Sequence, residues 1–361
     1  MAKKHFERDW STLAPELLNV IAKSLSEISD FVRFRAVCKT WRFSTPTTDL
    51  PPEFPWILGT HNSEQHRLFY SVTTRKIYTI LDPKYLGKRF LSSSQGYILC
   101  DLTDQDPSCH NADKFSLLNP LNNHEILLPA WDLDLYYHAS IGAWQGKIGE
   151  NVVCCKCLER RGHNYKLAFC CLGQDKWCER DLDYDGYFRC FLLKSLVFMV
   201  EAGTGVTKVI DLFTGTLAYV IPPVEKYMQS MARKHFLEKF YYHVEVSGDN
   251  LLVILRCVPS DCYSDVWFDV YKLDLGGSNS PCWVKVNNIG NQALFIDKHG
   301  CFPLEAGDFA NVKANCIYCA DFFDSEIVMI DIETGDGEFL ECPSIKIECW
   351  FVPNLQRLQV Q

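Results

Sequence analysis

The stretch of sequence that decides the fold is IVMIDIETGDGEFLECP, at residues 327–343. A first apolar run reaches Asp331, turn residues surround Gly335, and a second short run ends at Pro343. Short apolar runs separated by Gly and Asp predict two β-strands joined by a tight turn. This segment is therefore predicted to be a β-hairpin.

The same order of strand, Asp or Asn, turn, strand and Pro recurs upstream. FSLLNPLNNHEILLP occupies residues 115–129, and KVIDLFTGTLAYVIP occupies residues 208–222. Looser copies surround Thr73-Thr74-Arg75, Gln174-Asp175 and Gly276-Gly277. Six hairpins at a mean spacing of roughly 50 residues approach the repeat length of β-propeller blades. A β-sandwich is the alternative, because all antiparallel folds contain hairpins.

Other segments after residue 55 also alternate apolar and polar residues, which is typical of half-buried strands. Further strands are predicted at residues 67–72, 76–80, 96–100, 250–255, 265–271 and 345–351. The last of these is expected to close the ring by pairing with the first blade. Residues 224–240 have no clear pattern and are assigned to a short helix or a loop.

The N-terminal region has a helical pattern instead. Apolar residues between Leu17 and Leu25 share one helical face, and Pro15 suits the first turn because its missing N–H is not needed there. A second helix is predicted after Asp30 as its N-cap, with a face that extends from Phe31 to Trp41. Several prolines then stiffen the connection to the β-rich region.

Composition excludes several functional classes. The net charge is −9, and residues 1–50 contain eight Lys and Arg against six Asp and Glu, so the remainder carries −11. An acidic body repels phosphate backbones, so no nucleic-acid partner is expected. No apolar run approaches the roughly 18–20 residues of a membrane helix, and no secretory signal is present. We expect an intracellular protein (cytoplasm, nucleus or both) without a membrane partner, in which most of the 18 cysteines are buried thiols.

Few motifs point to chemistry. Cys316 and Cys319 have zinc-like spacing, but residues i and i+3 of a strand point to opposite faces. Cys155 and Cys157 share a face, yet no second pair completes a metal-binding frame. The sequence contains neither a P-loop nor a Gly-x-Ser-x-Gly motif. We predict no catalytic residue, metal or cofactor. A catalytic triad formed by residues far apart in the sequence stays an open alternative.

The N-terminal helices resemble an F-box. The matching residues are LAPELL at 13–18, Ile21, Leu25 and DFVRFRAVCKTWR at 30–42. The chain departs from the common pattern at Ala14, where many F-boxes have Pro directly after the first Leu. That difference bears on the local turn and not on the identity of the motif.

The rest of the chain resembles the C-terminal domain of a large plant F-box family, formerly a domain of unknown function and now regarded as a β-propeller. The matching landmarks are residues 54–58, 69–72, 93–97, 118–120, 289–296 and 315–321. The resemblance implies a small all-α F-box at 8–46, a Pro-rich linker at 47–58 and a large all-β domain at 59–355. That domain is expected to be a propeller of about six blades that receives a substrate.

The resemblance also implies a partner, the Skp-type adaptor of a cullin-RING ubiquitin ligase. A helical segment of this size cannot bury enough surface to be stable alone, so a partner would complete its apolar face. The residues that match the apolar positions of the F-box are Leu13, Pro15, Leu17, Leu18, Ile21, Leu25, Val37, Cys38 and Trp41. The alternative is that this apolar stripe only packs on the β domain.

The function implied is that of a non-catalytic substrate receptor, which binds an unidentified target protein for ubiquitination. Two other functions are compatible with the sequence. One is a scaffold that binds partners through the propeller without promoting their degradation. The other is a propeller enzyme with a degenerate F-box.

Overall fold

The computed structural model describes most of the chain. The described residues are 9–61, 67–80, 88–94, 96–101, 115–129, 136–143, 151–158, 165–182, 188–193, 196–201, 204–224, 236–246, 250–259, 267–274, 281–297, 300–309, 311–322 and 326–355. Most of the stretch from 224 to 240, predicted as a short helix or loop, lies outside these residues. From Phe236 onward the chain is a β-strand, so the prediction is wrong for that end of the stretch.

Three short helices form the N-terminal region: α1 (Pro15–Lys23), α2 (Ile28–Ala36) and α3 (Lys39–Ser44). Single 3₁₀ turns stand at Trp10–Thr12 and Thr47–Asp49. Pro15 occupies the first turn of α1, as predicted.

Two details of the helical prediction are wrong. Helix α2 begins at Ile28 after Glu27, so Asp30 lies within its first turn and is not its cap. The predicted continuous face from Phe31 to Trp41 is also interrupted, because Cys38 is extended and begins the separate helix α3. The break folds α3 back, and the rings of Phe34 and Trp41 pack 4.4 Å apart across it.

The described strands form six sheets. The first sheet contains β1 (Trp56–His61), β2 (Arg67–Ser71), β3 (Ile77–Ile80) and β25 (Ile345–Phe351). The second contains β4 (Arg89–Ser94), β5 (Tyr97–Asp101), β6 (Phe115–Asn119) and β7 (His124–Leu127). The third contains β8 (Tyr136–Ala143), β9 (Asn151–Leu158), β10 (Tyr165–Cys171) and β11 (Cys178–Leu182).

The remaining sheets follow in chain order. The fourth contains β12 (Phe188–Leu193), β13 (Leu196–Glu201), β14 (Thr207–Asp211) and β15 (Leu217–Ile221). The fifth contains β16 (Phe236–Val246), β17 (Asn250–Pro259), β18 (Trp267–Asp274) and β19 (Cys282–Val286). The sixth contains β20 (Gln292–Ile296), β21 (Cys301–Glu305), β22 (Cys316–Phe322), β23 (Glu326–Asp331) and β24 (Gly337–Leu340).

The six sheets close into a ring. One strand of each sheet lies close to one strand of the next sheet around the ring. In order, these strands are β25, β4, β8, β12, β16 and β21. Strand β22 of the sixth sheet lies close to β25 of the first sheet. The last strand, β25, pairs antiparallel with β1 and so joins the two ends of the chain within one sheet. The predicted closure by residues 345–351 is confirmed. This arrangement is a β-propeller, and the sandwich alternative is wrong.

The hairpin repeat is confirmed as the outer half of every sheet. The six predicted hairpins correspond to the antiparallel pairs β2–β3, β6–β7, β10–β11, β14–β15, β18–β19 and β23–β24. The turn near Gly276 itself lies outside the described residues, although its two flanking strands pair. One hairpin per sheet explains the spacing that the sequence shows.

The sixth sheet departs from this pattern. Strands β20 and β22 pair in parallel, from Ala293 with Cys316 to Ile296 with Cys319. The landmarks at residues 289–296 and 315–321 therefore lie side by side. Asn315, at φ 56°, turns the chain into β22, and its side-chain oxygen accepts a hydrogen bond of 3.0 Å from the N–H of Ile289.

The core lies between neighbouring sheets. The sixth sheet contributes Phe295 and Tyr318 to the cluster that it shares with the first sheet, where Trp350 is fully buried. The first strand of the first sheet, β1, begins at Trp56. Most residues of the preceding proline-rich connection, 51–55, are buried.

Candidate protein-binding surface

The helical module, defined here as residues 10–49, exposes an unusual amount of apolar surface. Large apolar side chains usually lie inside a protein, and a short helix that is apolar on several sides is typical of a buried element. The exposed large apolar residues of the module are Trp10, Leu17, Val20, Ile21, Val32, Val37 and Phe43. We call this set the apolar surface of the module.

Helix α1 has two apolar faces. Leu18 and Ala22 are fully buried and hold the helix to its neighbours. Leu17 and Val20 are 54% and 65% exposed, and Ile21 is 40% exposed. These three residues share one side of the helix because residues three and four apart are neighbours on a helical surface. The helix is therefore fixed by one face and presents the other.

The second part of the apolar surface lies around α3. Val37 follows the last residue of α2 and is 60% exposed, while Phe43 of α3 is 84% exposed. Four basic residues lie close to them in the sequence, namely Arg33, Arg35, Lys39 and Arg42. Burial and the neighbouring Arg42 lower the pKa of the Arg35 guanidinium. This end of the module thus combines apolar and positively charged groups.

The structure divides the nine residues predicted from sequence into three groups. Pro15, Leu17, Ile21 and Val37 are exposed. Leu13, Leu25, Cys38 and Trp41 are half-buried, and Leu18 is buried. Trp41 stabilises the module from within, because its Nε1–H donates a hydrogen bond of 3.0 Å to the carbonyl oxygen of Trp10. Buried Leu18 can only hold the helices together.

Sequence reasoning missed four residues of the apolar surface, namely Trp10, Val20, Val32 and Phe43. The sequence could have indicated Val20, because it stands three residues after Leu17 and so lies on the same side of the helix. The sequence contains no such indication for Phe43, because the apolar face of the predicted continuous helix ended at Trp41. Phe43 lies in helix α3, which begins after the break at Cys38, and the spacing of apolar residues does not reveal that break.

Most of the propeller matches a known protein family. The KIB1-4 beta-propeller family matches residues 69–340, well over half of the chain. This chain belongs to the KIB1-4 β-propeller family. The resemblance to plant F-box proteins with a C-terminal propeller is confirmed, since the similar curated proteins are Arabidopsis F-box proteins.

Relatives of this KIB1-4 β-propeller protein cover different parts of it. The F-box protein At2g26160 of Arabidopsis thaliana is 24% identical over 330 residues, which cover 87% of this chain and 96% of that protein. The F-box protein SKIP23 of the same plant is 48% identical over 44 residues, 12% of this chain and 11% of that protein. A GH93 alpha-L-arabinofuranosidase of Fusarium graminearum is similar in structure, with a TM-score of 0.41 and 11% identity over 79% of this chain and 85% of that chain. That score is too low to support any statement about activity.

The described part of this KIB1-4 β-propeller protein holds no group of three or more His, Cys, Asp or Glu side chains placed to bind a metal ion. Cys316 and Cys319 belong to different core clusters, which agrees with their placement on opposite faces of a strand.

No described helix is long and apolar enough to cross a membrane. Six of the eleven cysteines whose surroundings are described are buried.

Alkylation of the native chain at pH 8 is expected to separate the cysteines by burial. Burial raises the pKa of Cys100 and of Cys170 to about 12, so both stay neutral thiols at pH 8, and the thiolate is the reactive form. Iodoacetamide should modify exposed Cys282 and leave Cys100 and Cys170 intact until the chain unfolds. Peptide mass spectrometry measures this, and rapid modification of native Cys100 would contradict it.

Proposed function

We propose that this chain is the substrate-receptor subunit of a Skp-cullin-F-box ubiquitin ligase. In this proposal the F-box at 8–46 docks on the Skp-type adaptor, residues 47–58 connect, and the propeller at 59–355 binds a target protein for ubiquitination. The observation that carries the proposal is the apolar surface of the module, which leaves Leu17, Val20 and Phe43 in solvent. Such a surface is costly to expose unless a partner covers it.

The division of α1 into two faces supports docking rather than packing on the β domain. If the stripe only packed on the propeller, Leu17 and Ile21 would be buried together with Leu18. Instead Leu18 alone is buried, and the other two are at least 40% exposed. An amphipathic helix that presents apolar residues at i, i+3 and i+4 is a common recognition element for a partner groove.

The charges at the other end of the surface favour an acidic partner. Arg33, Arg35, Lys39 and Arg42 are close in sequence to the exposed residues Val37 and Phe43. Complementary charge around an apolar contact steers association and sets orientation. We infer that the adaptor places apolar side chains against α1 and carboxylates near α3.

In this proposal the chain catalyses no reaction, and other subunits of the ligase transfer ubiquitin. We infer that each of the six sheets is one blade. The receptor works inside the cell, in the cytoplasm or nucleus, on a protein target that stays unidentified. A scaffold function without degradation shares the same fold, and differs in that a bound partner is not ubiquitinated.

Replacing Leu17 and Ile21 together by Asp is expected to abolish co-purification with a Skp-type adaptor. Placing two carboxylates in an apolar interface without partners should cost several kcal/mol, which is at least a 100-fold loss of affinity. Pull-down and isothermal titration with the purified full-length chain measure the effect.

The matched control is the double variant Ile77→Asp and Leu127→Asp. These side chains are also apolar and are 48% and 71% exposed, but they lie on the outer strands of the propeller. The control should bind the adaptor as the wild type does. If the wild type fails to bind, or if the control loses binding equally, the proposed docking surface is wrong.

A further inference from the structure

The part of the connection that leads into the propeller, residues 53–58, is buried. Glu53, Phe54 and Pro55 are all buried. The ring of Phe54 lies 5.2 Å from that of Tyr318 and 5.5 Å from that of Phe295, both in the sixth sheet. Such a connection cannot serve as a flexible tether, because its movement would open the apolar core.

Glu53 is the polar group at the centre of this connection, with 7% of its surface exposed. Its Oε2 accepts a hydrogen bond of 3.3 Å from the backbone N–H of Ile28, the first residue of α2. Its Oε1 accepts one of 3.0 Å from the hydroxyl of Ser71 in β2. One side chain thus joins a helix of the module to the first sheet through two hydrogen bonds.

Two neighbouring contacts hold the same joint. Ile28 is 2% exposed and packs in the core cluster that contains Trp56 and Leu58 of β1. On the surface, Lys76 Nζ lies 2.5 Å from the Oε2 of Glu27, the residue just before α2. The start of α2 is therefore held by an apolar contact, a buried carboxylate and an ion pair.

We infer that Glu53 is a positioning residue that holds the helical module on the propeller in one orientation. This inference rests on the proposed function, because the orientation matters only if the module docks on a ligase adaptor. Transfer of ubiquitin requires a target lysine to meet the loaded carrier, and the encounter is frequent only when both are held at a suitable distance. A fixed joint restricts which lysines are presented.

The first test follows the joint in the free full-length chain by hydrogen exchange. In Glu53→Ala the Ile28 amide loses its acceptor, and we expect its exchange to accelerate at least ~10-fold. The matched control is Asp297→Ala, which removes another buried carboxylate that accepts bonds from the N–H groups of Trp350 (2.9 Å) and Gly300 (3.0 Å). That control should accelerate exchange at Trp350 and leave Ile28 unchanged.

The second test uses the ligase reconstituted with a Skp-type adaptor, a cullin-RING core and a ubiquitin-conjugating enzyme. The probe is self-ubiquitination of the propeller's own lysines, mapped by mass spectrometry. Wild type and Asp297→Ala should modify the same restricted set of lysines. Glu53→Ala should bind the adaptor equally well but spread the modification over more lysines, an effect that a merely stabilising residue would not produce.

The outcomes separate the inference from the proposed function. An unchanged lysine pattern and unchanged Ile28 exchange in Glu53→Ala overturn the positioning role. Failure of the wild type to bind the adaptor overturns the proposed function, whereas the exchange result still tests the joint.

If Glu53→Ala does not fold, Lys76→Ala breaks only the surface ion pair and should give a smaller spread of modified lysines in the same direction. No spread in Lys76→Ala would then count against the inference.

Discussion

Replacing Trp350 by Ala is expected to lower the free energy of unfolding by about 3–5 kcal/mol, the usual range for removing a large buried aromatic side chain. Trp350 is fully buried in β25, the strand that closes the ring. Its ring lies 5.1 Å from that of Phe295, and its Nε1–H donates a hydrogen bond of 2.9 Å to the carbonyl oxygen of Ile296. The variant therefore loses packing and a hydrogen bond between the first and sixth sheets.

Urea denaturation followed by tryptophan fluorescence and circular dichroism measures this loss. Leu127→Ala is the control, because Leu127 is an apolar residue of an outer strand and is 71% exposed. Its effect should stay within about 0.5 kcal/mol, as for most surface substitutions. A loss below about 1 kcal/mol for Trp350→Ala would mean that this side chain does not hold the closure, given the usual cost of such cavities.

Arg67→Ala is expected to destabilise the propeller by about 3–5 kcal/mol, because it removes one member of an ion pair that is largely shielded from solvent. Arg67 forms an ion pair with Glu348, and the two side chains are only 14% and 13% exposed. Its Nη2 donates a hydrogen bond of 2.7 Å to the carbonyl oxygen of Lys88, and its guanidinium lies 4.5 Å from the Phe90 ring centre. One side chain thus connects β2, the closing strand and the second sheet.

A local irregularity of the closing strand places Glu348 in this pair. Leu58 is opposite Cys349 and Gly59 is opposite Ile347, so Glu348 is the extra residue of a β-bulge. Gly59 is required at this bulge, because a Cβ there would lie 2.7 Å from the carbonyl oxygen of Lys346. Bulges redirect side chains in this way.

The matched control replaces both partners, Arg67→Met with Glu348→Leu. Replacing a whole buried ion pair by apolar residues is often neutral, whereas removing one partner is costly. The double variant should therefore recover most of the stability that Arg67→Ala loses, as measured by thermal and urea unfolding. Because the pair is poorly exposed, added salt should change the Arg67→Ala loss little. Equal losses in the single and double variants would show that packing of Arg67, and not its charge, is what matters.

Local sequence patterns determined most of the architecture. The repeated hairpin, with its Asp or Asn before the turn, predicted the outer strands of all six sheets, because turn residues and strand alternation act over a few neighbouring positions. The match from Leu13 to Arg42 likewise predicted a helical module of the F-box type. Strand β25 was predicted within its observed bounds, 345–351.

Long-range contacts decided the rest. No local pattern distinguishes Leu18, which is buried, from Leu17, which is exposed, since both are apolar residues of one helix. The parallel pairing of β20 with β22 and the burial of Glu53 depend on segments far apart in sequence. What the sequence by itself determined is therefore the set of hairpins and helices, whose signals are local. Only the tertiary structure decided which apolar side chains stay in solvent and how the module is held on the propeller, because burial depends on which distant surfaces meet.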